Sequence, residues 1–139
     1  MQDWKKKIKF YKVDISNKKA LKKIFQNHKI NRIYNFAAQA GVRYSIDHPS
    51  EYQKSNIEGF YNILEFSRLH RVKELIYASS SSVYGENKKF PLKETEKINP
   101  KNFYGLTKKI NEQMAQNYTE NYKMSIIGLR FFTVYGEWG

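Results

Sequence analysis

Tyr104 and Lys108 stand four residues apart in the string Tyr104-Gly105-Leu106-Thr107-Lys108. On a helix, that spacing sets both side chains on one face. A free phenol ionises near pH ~10 and is a poor base at neutral pH. An ammonium beside it favours the phenolate. The pair is therefore an acid/base device for any hydroxyl brought next to it. The spacing alone is weak evidence, because Tyr-x-x-x-Lys also arises by chance. Upstream, Ser79 to Ser82 form four consecutive serines that lead into Val83-Tyr84-Gly85. Serine hydroxyls donate and accept hydrogen bonds, so one of them can hold a reacting hydroxyl against the phenol. The same run would also serve as a capped turn. A third polar string, Asn35-Phe36-Ala37-Ala38-Gln39-Ala40, combines amides with small residues that let backbone approach a ligand closely.

The elements that must position these groups alternate between β-rich runs and helical patterns. Residues 8–13 alternate as a strand and end at Asp14. Residues 18–27 carry Ala20, Leu21, Ile24 and Phe25 at helical spacing. Residues 30–38 read as a strand that runs into the small residues, and 41–49 read as a loop. A long helix is expected from Glu51 to His70, with Ile57, Phe60, Tyr61, Leu64 and Leu69 near one face. Residues 74–79 form a third strand and 85–101 a polar loop. A second long helix runs from Tyr104 to Tyr122, and 125–132 close with a fourth strand. This order predicts an α/β fold with a parallel sheet. Ligands of such sheets sit outside the carboxyl ends of the strands. Asp14, residues 35–44 and residues 79–84 all fall at those ends and should converge.

Composition narrows the function classes. The chain has 139 residues, which suits one domain over 1–139, and 16% aromatics, which calls for a packed core. Lys plus Arg number 25 against 13 acidic residues, for a net charge of +12. The lysines are scattered over polar positions of amphipathic segments, with no arginine-rich cluster and no stacked-aromatic signature. They read as a solvated surface, so no nucleic-acid partner is expected. No apolar run approaches the ~18 residues of a membrane span, and no apolar stretch follows the basic start. A soluble, cytoplasmic protein with no membrane partner is expected. The absence of cysteine removes thiolate nucleophiles and Cys-bound zinc. His28, His48 and His70 are dispersed without metal-ligand spacing, so no metal is expected. Trp4 and Trp138 read as core positions near the two ends. Arg130, at the end of an apolar strand, reads as either a ligand-site or a salt-bridge residue.

Four strings in order, NFAAQAGVRYSIDHP, YASSSSVYG, NFYGLTKKINE and GLRFFTVYG, resemble the extended short-chain dehydrogenase/reductase family. Within it they resemble NAD-dependent nucleotide-sugar epimerases, most of all UDP-glucuronate 4-epimerases. The resemblance spans essentially the whole chain. It implies a Rossmann-like doubly wound parallel sheet, NAD as cofactor and a nucleotide sugar as substrate. It makes Tyr104 the general base, Lys108 its electrostatic partner and a ribose ligand, and Ser80 the hydroxyl beside the sugar C4 oxygen. Asp14 and Ile15 would contact the adenine end of the cofactor. Ala37, Ala38 and Gln39 would line the dinucleotide, with Asn56 in support and Phe132 near the nicotinamide. Thr133 would face the sugar. Relatives that dehydrate the sugar resemble this chain but carry an acidic pair where Ser81 and Ser82 stand, and decarboxylating relatives carry Glu in place of Ser82. Hydroxyls cannot do that proton work, so epimerisation is favoured. Ser81, Ser82, Thr133 and cationic Arg43 would suit a C6 carboxylate. For Arg43, a surface loop position or a cofactor contact also stays open.

The sequence departs from the family in two places. Asn102 stands where relatives often carry Ser. None of the seven glycines makes a G-x-x-G-x-x-G or G-x-G-x-x-G loop, which in the family sets backbone donors on the pyrophosphate. The chain resembles the family from its third strand to just past its sixth. In the order 3-2-1-4-5-6 the first two strands lie between the third and fourth. An incomplete Rossmann-like sheet is therefore expected, with 8–13 either pairing directly beside 33–37 or misplaced. The resemblance also implies a homodimer through the helices from Glu51 to His70 and from Tyr104 to Tyr122. A non-catalytic remnant, or an epimerase of UDP-glucose, UDP-galactose or an N-acetylated uronic acid, stays open as an alternative.

Overall fold

The computed structural model describes residues 8–87 and 90–137. Trp4 and Trp138 lie outside the described residues. Helix α1 (Lys18–Asn27) opens the fold, with the Asn17 side chain accepting from the Ala20 amide at its start. Strand β1 (Arg32–Asn35) follows. Two single turns, α2 (Tyr44–Asp47) and α3 (Pro49–Tyr52), lead into a π-helical segment, Gln53–Glu58, and then α4 (Gly59–Leu69). Strand β2 (Glu74–Ser80) ends in a 3-10 turn, Ser81–Tyr84. Helix α5 (Phe103–Tyr122) and strand β3 (Ile126–Phe131) complete the chain.

The three strands form one parallel sheet in the order β1-β2-β3. Ile33 pairs with Leu75 and Asn35 with Tyr77, while Tyr77 pairs with Gly128 and Ser79 with Arg130. Side chains alternate between faces of a strand. Leu75, Tyr77 and Ser79 therefore face one way, and they are buried. On that side lie α4 and α5, whose Phe60, Ile63, Leu64 and Ala115 join Leu75 and Tyr77 in the core. Helix α1 adds Leu21 and Phe25, with Phe25 stacked 5.3 Å from Phe66. The other face carries Tyr34, Phe36, Ile127 and Phe131, all exposed.

Three expectations are corrected. Residues 8–13 form no strand, although Val13 packs against the core. Alternation makes a segment able to pair, but only a neighbouring edge makes it a strand. The long helix from Glu51 to His70 is not continuous α-helix, since its middle has π geometry. The loop expected over 41–49 also contains the short turn α2.

Candidate active site

The strand ends converge on one mouth. Ser80 ends β2 in extended conformation (φ −156°, ψ 148°), and its Oγ accepts from the Ser82 amide at 3.1 Å. That cap folds Ser81–Tyr84 back over the end of the sheet. Gly85 then takes φ +64°, a left-handed value that disfavours a side chain, and Asn99 O occupies the place a Cβ would need. A cleft of 260 Å³ results, lined among others by Ser80, Ser81, Ser82, Tyr104, Phe132 and Thr133.

Helix α5 brings the phenol to this cleft. Asn102 caps it by accepting from the Gly105 amide at 2.8 Å. The Tyr104 amide donates to Ser45 Oγ at 3.3 Å, and the Tyr104 ring meets Tyr52 edge-on at 6.1 Å. Among the described residues nothing hydrogen-bonds the Tyr104 hydroxyl, so it is free for a ligand. Tyr52 is different. It is fully buried, its hydroxyl donates to Ala40 O and Gly41 O (2.8 and 2.5 Å), and burial pushes its pKa up. It braces the loop after β1 and is not a base.

Lys108 lies one turn below Tyr104 and is only 3% exposed. Its Nζ donates to Ala78 O at 2.8 Å and sits 5.8 Å from the centroid of the Tyr104 ring. Desolvation pulls its pKa down to about 8. The group is still largely an ammonium at neutral pH, and it lies one helical turn from the phenol ring. An ammonium has three N–H groups. The Ala78 bond uses one and leaves the others for a ligand.

Asn56 ties two parts of the mouth together. Its Oδ1 accepts from the Gln39 amide (2.8 Å) and its Nδ2 donates to Gln39 O (3.0 Å) and Thr107 Oγ1 (3.0 Å). The loop that carries exposed Ala37 and Ala38 is thereby locked to the helix turn between Tyr104 and Lys108. The π geometry of 53–58 carries this buried amide, in keeping with the frequent placement of π-bulges at functional sites. Asp14 accepts from the Ser16 amide and hydroxyl, both at 2.9 Å, which lowers its pKa, and it lies 3.6 Å from Lys54. Buried Asn62 donates to Ile15 O and Ser16 O (3.1 and 3.2 Å), so the turn after Asp14 is pinned to α4.

Most of the residues singled out in the sequence thus fall into a few connected groups. Arg43 does not join them: it is exposed at the start of α2 and does not line the cleft. Arg130 is a salt-bridge residue, paired with Glu112 at 2.8 Å. Sequence reasoning passed over Ser45, Tyr52, Asn62 and Thr107. Each acts through a hydrogen bond whose partner is remote in sequence or lies on the backbone, and a motif does not display such bonds. Among the described residues no cluster of His, Asp or Glu could bind a metal, and no helix is long and apolar enough to cross a membrane.

Gly105 sets how closely the turn approaches the helix. A Cβ there would lie 2.7 Å from Ser82 O and 3.1 Å from Pro100 Cβ. The first obstacle is backbone and cannot swing aside. Gly105→Ala is expected to destabilise the protein by about 1–2 kcal/mol, even after the helix preference of Ala is credited. A lowered urea midpoint is the expected reading, and an unchanged midpoint would contradict this account of the contact.

Comparison with known proteins adds to the geometry. A family model described as GDP-mannose 4,6 dehydratase matches residues 1–138. Protein CapI of Staphylococcus aureus is 50% identical over 136 residues, which are 97% of this chain and 41% of that protein. UDP-glucuronate 4-epimerase 4 of Arabidopsis thaliana is 45% identical over 91% of this chain and 29% of its own length. The structure of the UDP-glucose 4-epimerase of Thermus thermophilus in complex with NAD superposes with a TM-score of 0.90. It is 30% identical to this chain, over 94% of this chain and 43% of its own. The chain therefore spans less than half the length of these relatives.

Proposed function

The chain belongs to the GDP-mannose 4,6-dehydratase family, within the extended short-chain dehydrogenases/reductases, and from that premise we propose that it carries the acid/base half of a nucleotide-sugar 4-epimerase. One observation carries the reading. Tyr104 opens into the same cleft as Ser80, Ser81, Ser82, Phe132 and Thr133, with the Lys108 ammonium beneath its ring. In the proposed reaction the Tyr104 phenolate takes the proton from the sugar 4-hydroxyl. Ser80 Oγ orients that oxygen by hydrogen bonding. The 4-keto sugar turns within the cleft, and Tyr104 returns the proton to the 4-oxygen on the way back. Net redox change is zero.

NAD, when bound, supplies the acceptor and later the donor of the C4 hydride. The residues present fit its nicotinamide end. The Lys108 N–H groups and the Tyr104 hydroxyl suit ribose hydroxyls, exposed Ala37 and Ala38 leave room for close approach, and Phe132 lines the cleft. Asp14, held in its ionised form by the Ser16 donors, suits a hydroxyl or amine at the adenine end. Gln39 spends its backbone N–H and C=O on Asn56, so its contribution to the dinucleotide is shape and side chain.

Serine hydroxyls at 81 and 82 lack the acidity to remove and deliver protons near pH 7. This supports epimerisation over the dehydration in the family's description. UDP-glucuronate, converted to UDP-galacturonate, is the proposed substrate. It is favoured by the likeness to the Arabidopsis epimerases and by the donors Ser81, Ser82 and Thr133 for a C6 carboxylate. Arg43, away from the cleft, is left out of that contact. The reading includes a homodimer through the helices that cover 51–70 and 104–122, where Tyr61 and Leu106 are exposed, and sedimentation equilibrium tests it. Turnover by the full reading frame is to be measured on UDP-glucuronate and UDP-glucose side by side. Inversion at C4 of UDP-glucuronate is expected. Preference for UDP-glucose would overturn the substrate, and turnover of neither would overturn the function.

A further inference from the structure

We propose that Glu112, Arg130 and Ser79 form a clamp that positions Ser80 and its turn against Tyr104. The clamp deepens the epimerase reading, on which its kinetic test rests. Glu112 follows Lys108 by four residues and Tyr104 by eight, so all three share a face of α5. Its Oε1 accepts from Ser79 Oγ at 2.6 Å and from Arg130 Nε at 2.8 Å, and its Oε2 accepts from Arg130 Nη2 at 2.9 Å. Arg130 Nη1 donates onward to the Tyr84 hydroxyl at 3.1 Å and to Glu94 O at 3.0 Å. The guanidinium also lies 4.9 Å from the centroid of the Tyr84 ring.

These contacts grip the 3-10 turn at both ends. Ser79 precedes Ser80, and neighbouring residues of a strand point to opposite faces. Anchoring Ser79 to α5 therefore fixes the end of the strand, so that Ser80 keeps the extended conformation (φ −156°, ψ 148°) in which its Oγ caps the Ser82 amide at the mouth it shares with Tyr104. Tyr84 ends the turn and leans on the same guanidinium. A bidentate Arg–carboxylate pair has two parallel bonds and one geometry, so it transmits the orientation of α5 to β2, β3 and the turn together. The side chains of Arg130 and Glu112 are 20% and 17% exposed, well shielded from screening by water.

A hollow of 550 Å³ adjoins Glu112, Arg130 and Tyr84 and could suggest a ligand site instead. The donors argue against it. Of the five N–H groups of Arg130, four are already engaged by Glu112, Tyr84 and Glu94. The fork is closed on its own fold and acts as a positioning device.

Two variants of the full-length protein test the clamp. Ser79→Ala removes one hydroxyl and little else. Arg130→Lys keeps the charge and loses the fork. With NAD present, both are expected to lower kcat about tenfold, with KM and NAD affinity within about twofold of wild type. The Ser82 amide should exchange its hydrogen about tenfold faster, while the Asn111 and Ala115 amides of α5 keep their protection. Unchanged kcat and unchanged Ser82 exchange would overturn the clamp. So would a joint fall of kcat, NAD affinity and α5 protection, which would make the pair a fold stabiliser only. If the wild type turns over neither sugar, the epimerase reading fails by itself, and Ser82 exchange alone decides the clamp.

Discussion

Replacing Tyr104 by Phe is expected to remove about two to four orders of magnitude of turnover from the full-length protein, the usual worth of a positioned acid/base group. NAD should stay bound. The substitution deletes one oxygen. The ring keeps its edge-on contact with Tyr52 at 6.1 Å and its place 5.8 Å from Lys108 Nζ. The backbone amide keeps its bond to Ser45. The hydroxyl makes no hydrogen bond among the described residues, so its removal orphans no partner and leaves folding stability nearly unchanged. A loss of turnover would then report on proton transfer and not on packing. The check is a C4-inversion assay run beside absorbance of the NAD released on denaturation. Turnover within about threefold of wild type would remove the phenol from the mechanism.

Ser79→Ala and Tyr104→Phe separate two requirements of the same site. The first leaves the base intact and loosens the hydroxyl that aims the substrate. The second leaves the aim and removes the base. If both act on one proton transfer, their combination should cost less than the product of the two losses, because groups that work as a unit are not additive.

The parts of this site that are legible in the sequence are those whose chemistry is local. Tyr104 and Lys108 share a face because helical geometry dictates it, and the capped serine turn follows from hydroxyls at a strand end. Strands β2 and β3 show as apolar runs such as Leu75-Ile76-Tyr77 and Ile126-Ile127. Residues 8–13 alternate just as well and still form no strand, because a ladder needs an edge that the segment itself does not specify. The π segment is invisible for a similar reason. Gln53–Glu58 is an ordinary polar helical string, and its widened turn goes with the Asn56 bonds to Gln39 and Thr107. The charge of Arg43 suits a carboxylate in the cleft, whereas the short turn α2 leaves the residue on the surface. Charge says what a residue can bind, and topology says where it is.

Lys108 carries the sharpest conflict between stability and function. Burial lowers its pKa to about 8 from the ordinary lysine value of 10.5. Between those two pH values the unfolded chain binds the proton and the folded chain does not. Stability therefore rises with pH across that window, because the unfolded state binds more protons there. Below about pH 8 the folded protein bears the whole cost of a buried ammonium, and above about 10.5 it bears none. Lys108→Met removes the titration. Its stability advantage over wild type should therefore shrink by about 3 kcal/mol between pH 7 and pH 11, whatever constant offset comes from the lost bond to Ala78 O. Urea unfolding of both proteins across that range reads the difference directly, and a flat difference would mean that Lys108 is not desolvated. Turnover should move the other way. Without the ammonium, the Tyr104 phenolate loses its nearby positive charge and the proposed ribose contact loses its donor. We expect about a hundredfold or greater loss of kcat in the Met variant at pH 7, where it is relatively most stable. A residue that costs the fold stability where the proposed reaction runs, and ceases to cost it where its charge is lost, is one held in place for its charge.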